Sequence, residues 1–206
     1  MKFLRPAFLG AAVAVFATGC LSLKPAQDQE RHYILAAAPA HRAETNRSRA
    51  VISLRPVDVA RYLRGLDIAI RTGQNEITYP LNERWAEPLD DGIRRVLAED
   101  LGASPAVREV LTEQPAPPGH PVYAIYVRVL ACEGVWNTRG PGSIAFKAEW
   151  QIIQSGPPET IIDQGVFQDG VIAWTAGDYG QLASRLDGVL GHFADAIVAA
   201  LARHGK

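Results

Sequence analysis

Val122–Cys132, VYAIYVRVLAC, is the stretch whose reading decides the fold. It has no Gly or Pro and is rich in β-branched and aromatic residues, the composition of a strand. Val122, Ala124, Tyr126, Arg128 and Leu130 fall on one side. Tyr123, Ile125, Val127, Val129 and Ala131 fall on the other, which is apolar. The alternation predicts a central strand with both faces at least partly covered. Working outward, NTRGPG at 137–142 is a turn cluster. Ser143 to Gln154 and Thr160 to Gln168 read as two more strands, joined by Ser155-Gly156-Pro157-Pro158. Three long neighbours with short turns imply an antiparallel meander.

Two helices flank these strands. Trp85, Leu89, Ile93, Val96, Leu97 and Leu101 recur at spacings of three and four and form one apolar stripe. Asn82 is placed to cap that helix and Gly102 to stop it. Near the end, Tyr179, Leu182, Leu186, Val189, Leu190, Phe193, Ile197 and Leu201 form a second stripe, with Asp178 as cap. Upstream, His32 to Ala36 and Val51 to Val57 read as strands and Ala60 to Leu63 as a helical turn. Leu66 to Arg71 and Glu76 to Leu81 form a hairpin about Thr72-Gly73-Gln74-Asn75. The fold class is therefore α+β: a mostly antiparallel or mixed sheet with two long amphipathic helices packed on it.

The N-terminus carries an address. Lys2 and Arg5 precede an apolar run from Ala7 to Ala17, too short to span a bilayer but fitting the apolar region of an export signal. Ala17-Thr18-Gly19-Cys20 resembles the bacterial lipobox. In such signals the peptide is cut before the cysteine, whose thiol is joined to diacylglycerol and whose new N-terminus is acylated. The expected organisation is a lipoprotein signal peptide over 1–19, a lipidated N-terminus and tether over 20–31, and one α+β domain over 32–206. Several acyl chains anchor a protein stably. Leu21, in place of the Asp that tends to retain such proteins at the inner membrane, points to the outer membrane and its periplasmic face. The expected lipidation site is Cys20. Cys132 is then left without an intrachain partner and reads as a small buried hydrophobe in a strand.

Other classes of function find little support. With 21 Lys+Arg against 22 Asp+Glu there is no basic excess for nucleic acid. Two cysteines exclude a zinc site built from three or four thiolates. The five histidines make no HExxH pair, and no glycine-rich phosphate loop or GxSxG elbow occurs. Asp90-Asp91 and Glu99-Asp100 are adjacent helical pairs, which point about 100° apart and do not converge on a site. No catalytic residue, metal or cofactor is expected beyond the covalent lipid on Cys20. Val135 and Trp136, at a hairpin tip, are candidate partner contacts, because tryptophan is enriched at interface hot spots. The loop Pro115 to Pro121 is a second candidate.

A longer pattern runs from Val51 to Leu101: Arg55-Pro56-Val57, Tyr62-Leu63, a hairpin, Arg84-Trp85-Ala86-Glu87-Pro88-Leu89, then Arg95-Val96-Leu97-Ala98-Glu99-Asp100-Leu101. With the lipobox and Tyr33-x-Leu35 ahead of it, this resembles the PqiC/YmbA-type lipoproteins, auxiliary components of ABC-type transport systems that work with MCE-domain proteins. Ala60 departs from the pattern, where a proline is expected. The resemblance implies an accessory, non-enzymatic role at the outer membrane in inter-membrane lipid transport and envelope integrity. It implies an MCE-domain protein as partner and leaves open a homo-oligomer. A stand-alone lipid- or small-ligand-binding lipoprotein is the alternative, with an apolar cavity between sheet and helices as its sign. A hydrolase assembled from distant residues is the third reading.

Overall fold

The computed structural model describes residues 29–37, 50–114 and 122–204. The expected signal peptide, Cys20, most of the tether, the loop Pro39 to Ser48 and the loop Pro115 to Pro121 lie outside the described residues.

The chain runs β1 (Arg31–Tyr33), β2 (Ala50–Leu54), β3 (Asp58–Val59), a 3₁₀ turn (Arg61–Leu63), β4 (Ile70–Gly73), β5 (Glu76–Thr78), β6 (Glu83–Trp85), α1 (Leu89–Ala103) and β7 (Val107–Leu111). It continues through β8 (Val122–Val135), β9 (Gly142–Gln154), β10 (Thr160–Gln168), β11 (Ile172–Trp174) and α2 (Tyr179–His204). The meander is as expected: β9 lies antiparallel between β8 and β10. On its other edge β8 takes three short strands in turn, β2, β3 and β4, all parallel to it. Pro56, which has no N–H for a ladder, interrupts this relay between β2 and β3. With β7 parallel beyond β2, the order is β10-β9-β8-β2-β7 and the sheet is mixed, with α1 and α2 packed on it. The α+β architecture read from the sequence is thus the observed one.

One face of the sheet makes the core with the helices. Ile125, Val129, Ala148 and Ile152 are fully buried, as are Ile93, Leu97, Leu101, Phe193 and Ile197 from the helices. Phe193 of α2 meets Phe167 of β10 at 5.1 Å and Phe146 of β9 at 5.9 Å between ring centroids. These side chains fill the layer between sheet and helices.

Some local expectations are corrected. Trp85 is buried but belongs to β6, not to the first helix. That helix begins at Leu89 behind Pro88, whose extended ψ of 136° sets the N-cap, so Asn82 caps nothing. The residue before a proline is steered away from helix, which keeps Glu87 and the residues before it out. The helix runs one residue past Gly102. The hairpin is confirmed but its first strand starts at Ile70 rather than Leu66, and β1 ends at Tyr33 rather than Ala36. In β8 the register slips between Val129 and Ala131. The bulge inverts the faces, so Cys132 and not Ala131 joins the core. In mid-strand the second face is open, with Tyr126 and Arg128 exposed. Asp178 does cap α2, its carboxylate accepting from the Gln181 N–H at 2.9 Å.

Candidate docking groove

One end of the sheet carries a groove of about 580 Å³. Its floor is the β4–β5 hairpin, through Ile70, Thr72 and Thr78. Its near lip is Tyr79-Pro80-Leu81, the chain leaving β5. Trp136 and Thr138, from the turn between β8 and β9, form the opposite wall, and Tyr179 at the start of α2 closes the back. Leu81 is 89% exposed, Trp136 44% and Tyr79 43%. Isolated exposed apolar residues are ordinary, but apolar side chains gathered round one concavity mark a contact surface.

Each wall is held by a hydrogen bond to a backbone carbonyl. The Trp136 N–H donates to the Arg71 carbonyl at 2.8 Å, which ties the turn to β4. The Tyr79 hydroxyl donates to the Tyr62 carbonyl at 3.0 Å, which fixes the lip on the 3₁₀ turn. Tyr179 sits 6.0 Å from Trp174 and 6.2 Å from Tyr33 between centroids, an aromatic cluster behind the back wall.

Two buried carboxylates flank the groove. Glu133 is 1% exposed and accepts from the Tyr62 hydroxyl on one oxygen and from Arg71 Nε on the other. Glu83 is 7% exposed and accepts from the Tyr33 hydroxyl at 2.6 Å and from Arg31 Nε at 3.0 Å. Burial and then the bonded carboxylate push the Tyr33 hydroxyl up to about 12 and raise Tyr62 further. The hydrogen bond to its carboxylate raises both Arg31 and Arg71. All four partners therefore keep the protonation that these bonds need at neutral pH. Each cluster ties together residues far apart in sequence, and both read as structural pins.

Of the residues singled out from the sequence, Trp136 lines the groove, whereas Val135 is half-buried in the ladder, paired with Arg71 of β4 and Ser143 of β9. Cys132 is buried, and burial first, then Glu133, raises its thiol to about 12, which makes it inert. His192 is exposed and meets Asp169 at 3.0 Å. Among the described residues no three His, Cys, Asp or Glu side chains gather to hold a metal, and no helix is long and apolar enough to cross a membrane. Sequence reasoning missed Tyr79, Pro80 and Leu81. The available signal was Leu81, an apolar residue next to Asn82 beyond the end of its strand.

Comparisons with known proteins bear on most of the chain. Residues 33–198 match the family described as ABC-type transport auxiliary lipoprotein component. No curated protein matches. Among solved structures, one of an uncharacterised protein aligns over 83% of this chain and 99% of its own, with a TM-score of 0.65 and 17% identity. A protein from Xanthomonas campestris aligns over 82% of this chain and 90% of its own, with a TM-score of 0.61 and 12% identity. At these identities the likeness is one of fold.

Proposed function

The chain belongs to the ABC-type transport auxiliary lipoprotein family, the family that its Trp85–Leu89 block resembles, and from that premise we propose an accessory role in lipid transport between membranes. In this reading Cys20 carries the lipid and fixes the protein to the periplasmic face of the outer membrane. The domain serves an ABC system whose MCE-domain protein bridges the envelope. Its work is mechanical: it positions a partner at a membrane and makes or breaks no covalent bond.

The observation that carries the reading is the family match across nearly the whole described domain, 33–198. The fold is consistent with it. The space between sheet and helices, where a stand-alone lipid carrier would need a cavity, is filled by the Phe146, Phe167 and Phe193 cluster and its aliphatic neighbours. What remains for contact is the surface, and the groove is a concave apolar part of it.

The test is to purify the full-length protein from membranes in mild detergent after crosslinking and to identify what accompanies it. Recovery of an MCE-domain protein together with its ATPase is the expected result. Recovery of this protein alone with bound lipid would overturn the accessory role in favour of the carrier.

A further inference from the structure

We propose that the groove formed by Tyr79, Pro80, Leu81 and Trp136 is the face this domain lays on the lipid bilayer that holds its anchor, with Leu81 and Trp136 inserted among the headgroups. The inference rests on the reading of Cys20 as lipidated and adds to it a second, non-covalent contact.

The path of the tether carries the argument. Strand β1 pairs parallel with β6, Arg31 beside Glu83, His32 beside Arg84 and Tyr33 beside Trp85. In a parallel pair both chains are traced backwards in the same direction. Moving from Arg31 toward the N-terminus therefore follows β6 back toward Asn82 and Leu81. The Arg31 N–H donates to the Asn82 carbonyl at 2.7 Å, and Gln29 and Glu30 line one surface with Asn82 and Glu83. The tether thus leaves the domain alongside the exposed lip of the groove. Nine peptide steps separate Cys20 from Gln29. They span at most about 32 Å when fully extended. The groove therefore lies on the part of the domain that the anchor holds closest to the membrane.

The chemistry of the groove suits that position. Trp and Tyr favour the headgroup level of a bilayer, where the ring is apolar at one end and hydrogen-bonded at the other. Leu81, almost wholly in water, gains by entering the acyl boundary. Arg139, exposed on the same turn as Trp136, is placed to meet headgroup phosphate. A standard protein interface engages roughly 20–30 residues a side, whereas a shallow lipid contact needs only a few apolar tips, as found here. The acyl chains on Cys20 hold the protein at the membrane but leave the domain free to turn, so the second contact sets which way the domain faces.

The test uses the full-length acylated protein in vesicles of phosphatidylethanolamine and phosphatidylglycerol, some of the lipid carrying bromine on its upper acyl carbons. Bromine quenches tryptophan on contact. Trp85, Trp150 and Trp174 are buried, so Trp136 is the reporter. Wild-type emission is expected to be quenched, and the quenching to be lost in Trp136→Phe and in Leu81→Asp, while all three float with the vesicles. Leu81 is exposed enough that its replacement leaves the core intact, which an unchanged melting curve checks. Flotation without quenching would overturn the lipid contact and leave the anchor standing. Trp136 shielded only when an MCE-domain protein is added would overturn it in favour of a protein interface. Failure to float would overturn the anchor and the contact together.

Discussion

Replacing Glu133 by Ala tests whether the buried carboxylate holds the groove end of the sheet together. The side chain is 1% exposed and bridges Tyr62, on the 3₁₀ turn, to Arg71, on β4. Removing one member of a buried ion pair costs about 3–5 kcal/mol, because the other charge is left without its partner. Two details lower that figure here. The Arg71 side chain is 32% exposed and can turn partly to water. The Tyr62 hydroxyl keeps a second acceptor, the Leu130 carbonyl at 3.3 Å. Against this, the lost side chain leaves a small void in a packed position. The balance is a loss of about 3 kcal/mol. Glu133→Gln keeps the shape and one acceptor and is expected to cost about half as much, since neutral hydrogen bonds contribute roughly half of charged ones.

Thermal unfolding followed by circular dichroism reads the effect. For a chain of this size about 3 kcal/mol lowers the melting temperature by roughly 6–12 °C. A double-mutant cycle with Arg71→Met isolates the pair, and its coupling is expected to be about 1–2 kcal/mol. The reasoning is refuted if Glu133→Ala melts within about 2 °C of wild type, or if the cycle closes with no coupling. Either result would mean that the backbone ladder alone holds β4 against β8.

Three further outcomes are expected. Gly142→Ala puts a Cβ 2.6 Å from Trp174 Nε1 and 2.9 Å from the Val135 carbonyl oxygen, so one ring and one backbone must shift; overpacking of this kind costs about 1–3 kcal/mol, and a urea midpoint unchanged from wild type would contradict it. Cys132, with its thiol raised to about 12, should not react with an aromatic disulfide reagent in the native protein under mildly alkaline conditions; after unfolding one thiol should titrate, and two would show Cys20 unmodified. Burial alone would raise the Asp163 carboxyl, but bonds from Arg203, the Gln164 N–H and His204 outweigh it and hold it below 3.8. Its stabilising contribution is therefore present above the unfolded value of 3.8 and is lost as pH falls through the lower folded value. Arg203 is 60% exposed, so Asp163→Asn should cost under about 1 kcal/mol at neutral pH and nothing measurable in strong acid, as paired melts would show.

The long elements were legible because each buries one face. Val122 to Val135, Gly142 to Gln154 and the final helix all show the period that their geometry demands. Where the sequence misled, the cause was non-local. Trp85 and Leu89 are four apart and imitate a helical stripe, yet Trp85 pairs with Tyr33, more than fifty residues away in sequence. The bulge after Val129 follows from how β9 meets β8, and no local pattern announces it. The groove was half legible. Trp136 stood out as a large aromatic in a turn, but Tyr79 to Leu81 read as the end of a strand. Their exposure depends on where β5 stops, which the sheet decides. The two carboxylate clusters were illegible for the same reason, since Glu133, Tyr62 and Arg71 are brought together only by the parallel relay of β3 and β4 along β8.

Those clusters have a common logic. A buried ion pair is weak evidence of net stability, because desolvation offsets most of the attraction, but it discriminates strongly between alternative arrangements. Both pairs occur where the backbone ladder is short. Strand β1 has three residues in register with β6, and β4 has two with β8. Ladders that short do not specify register well by themselves. In each case an arginine from the short strand reaches a buried glutamate on its partner, and a tyrosine takes the second carboxylate oxygen. A slip of one residue would turn that glutamate to the opposite face and strand the arginine. In the proposed anchored state the pins lie at the two places that carry load: β1, where the chain enters the domain, and β4, to which the Trp136 turn is tied. A pull along the tether is met first by Arg31 on Glu83 and the Asn82 carbonyl, not by the hydrophobic core. The core can then remain a plain packed layer while the groove end keeps its shape.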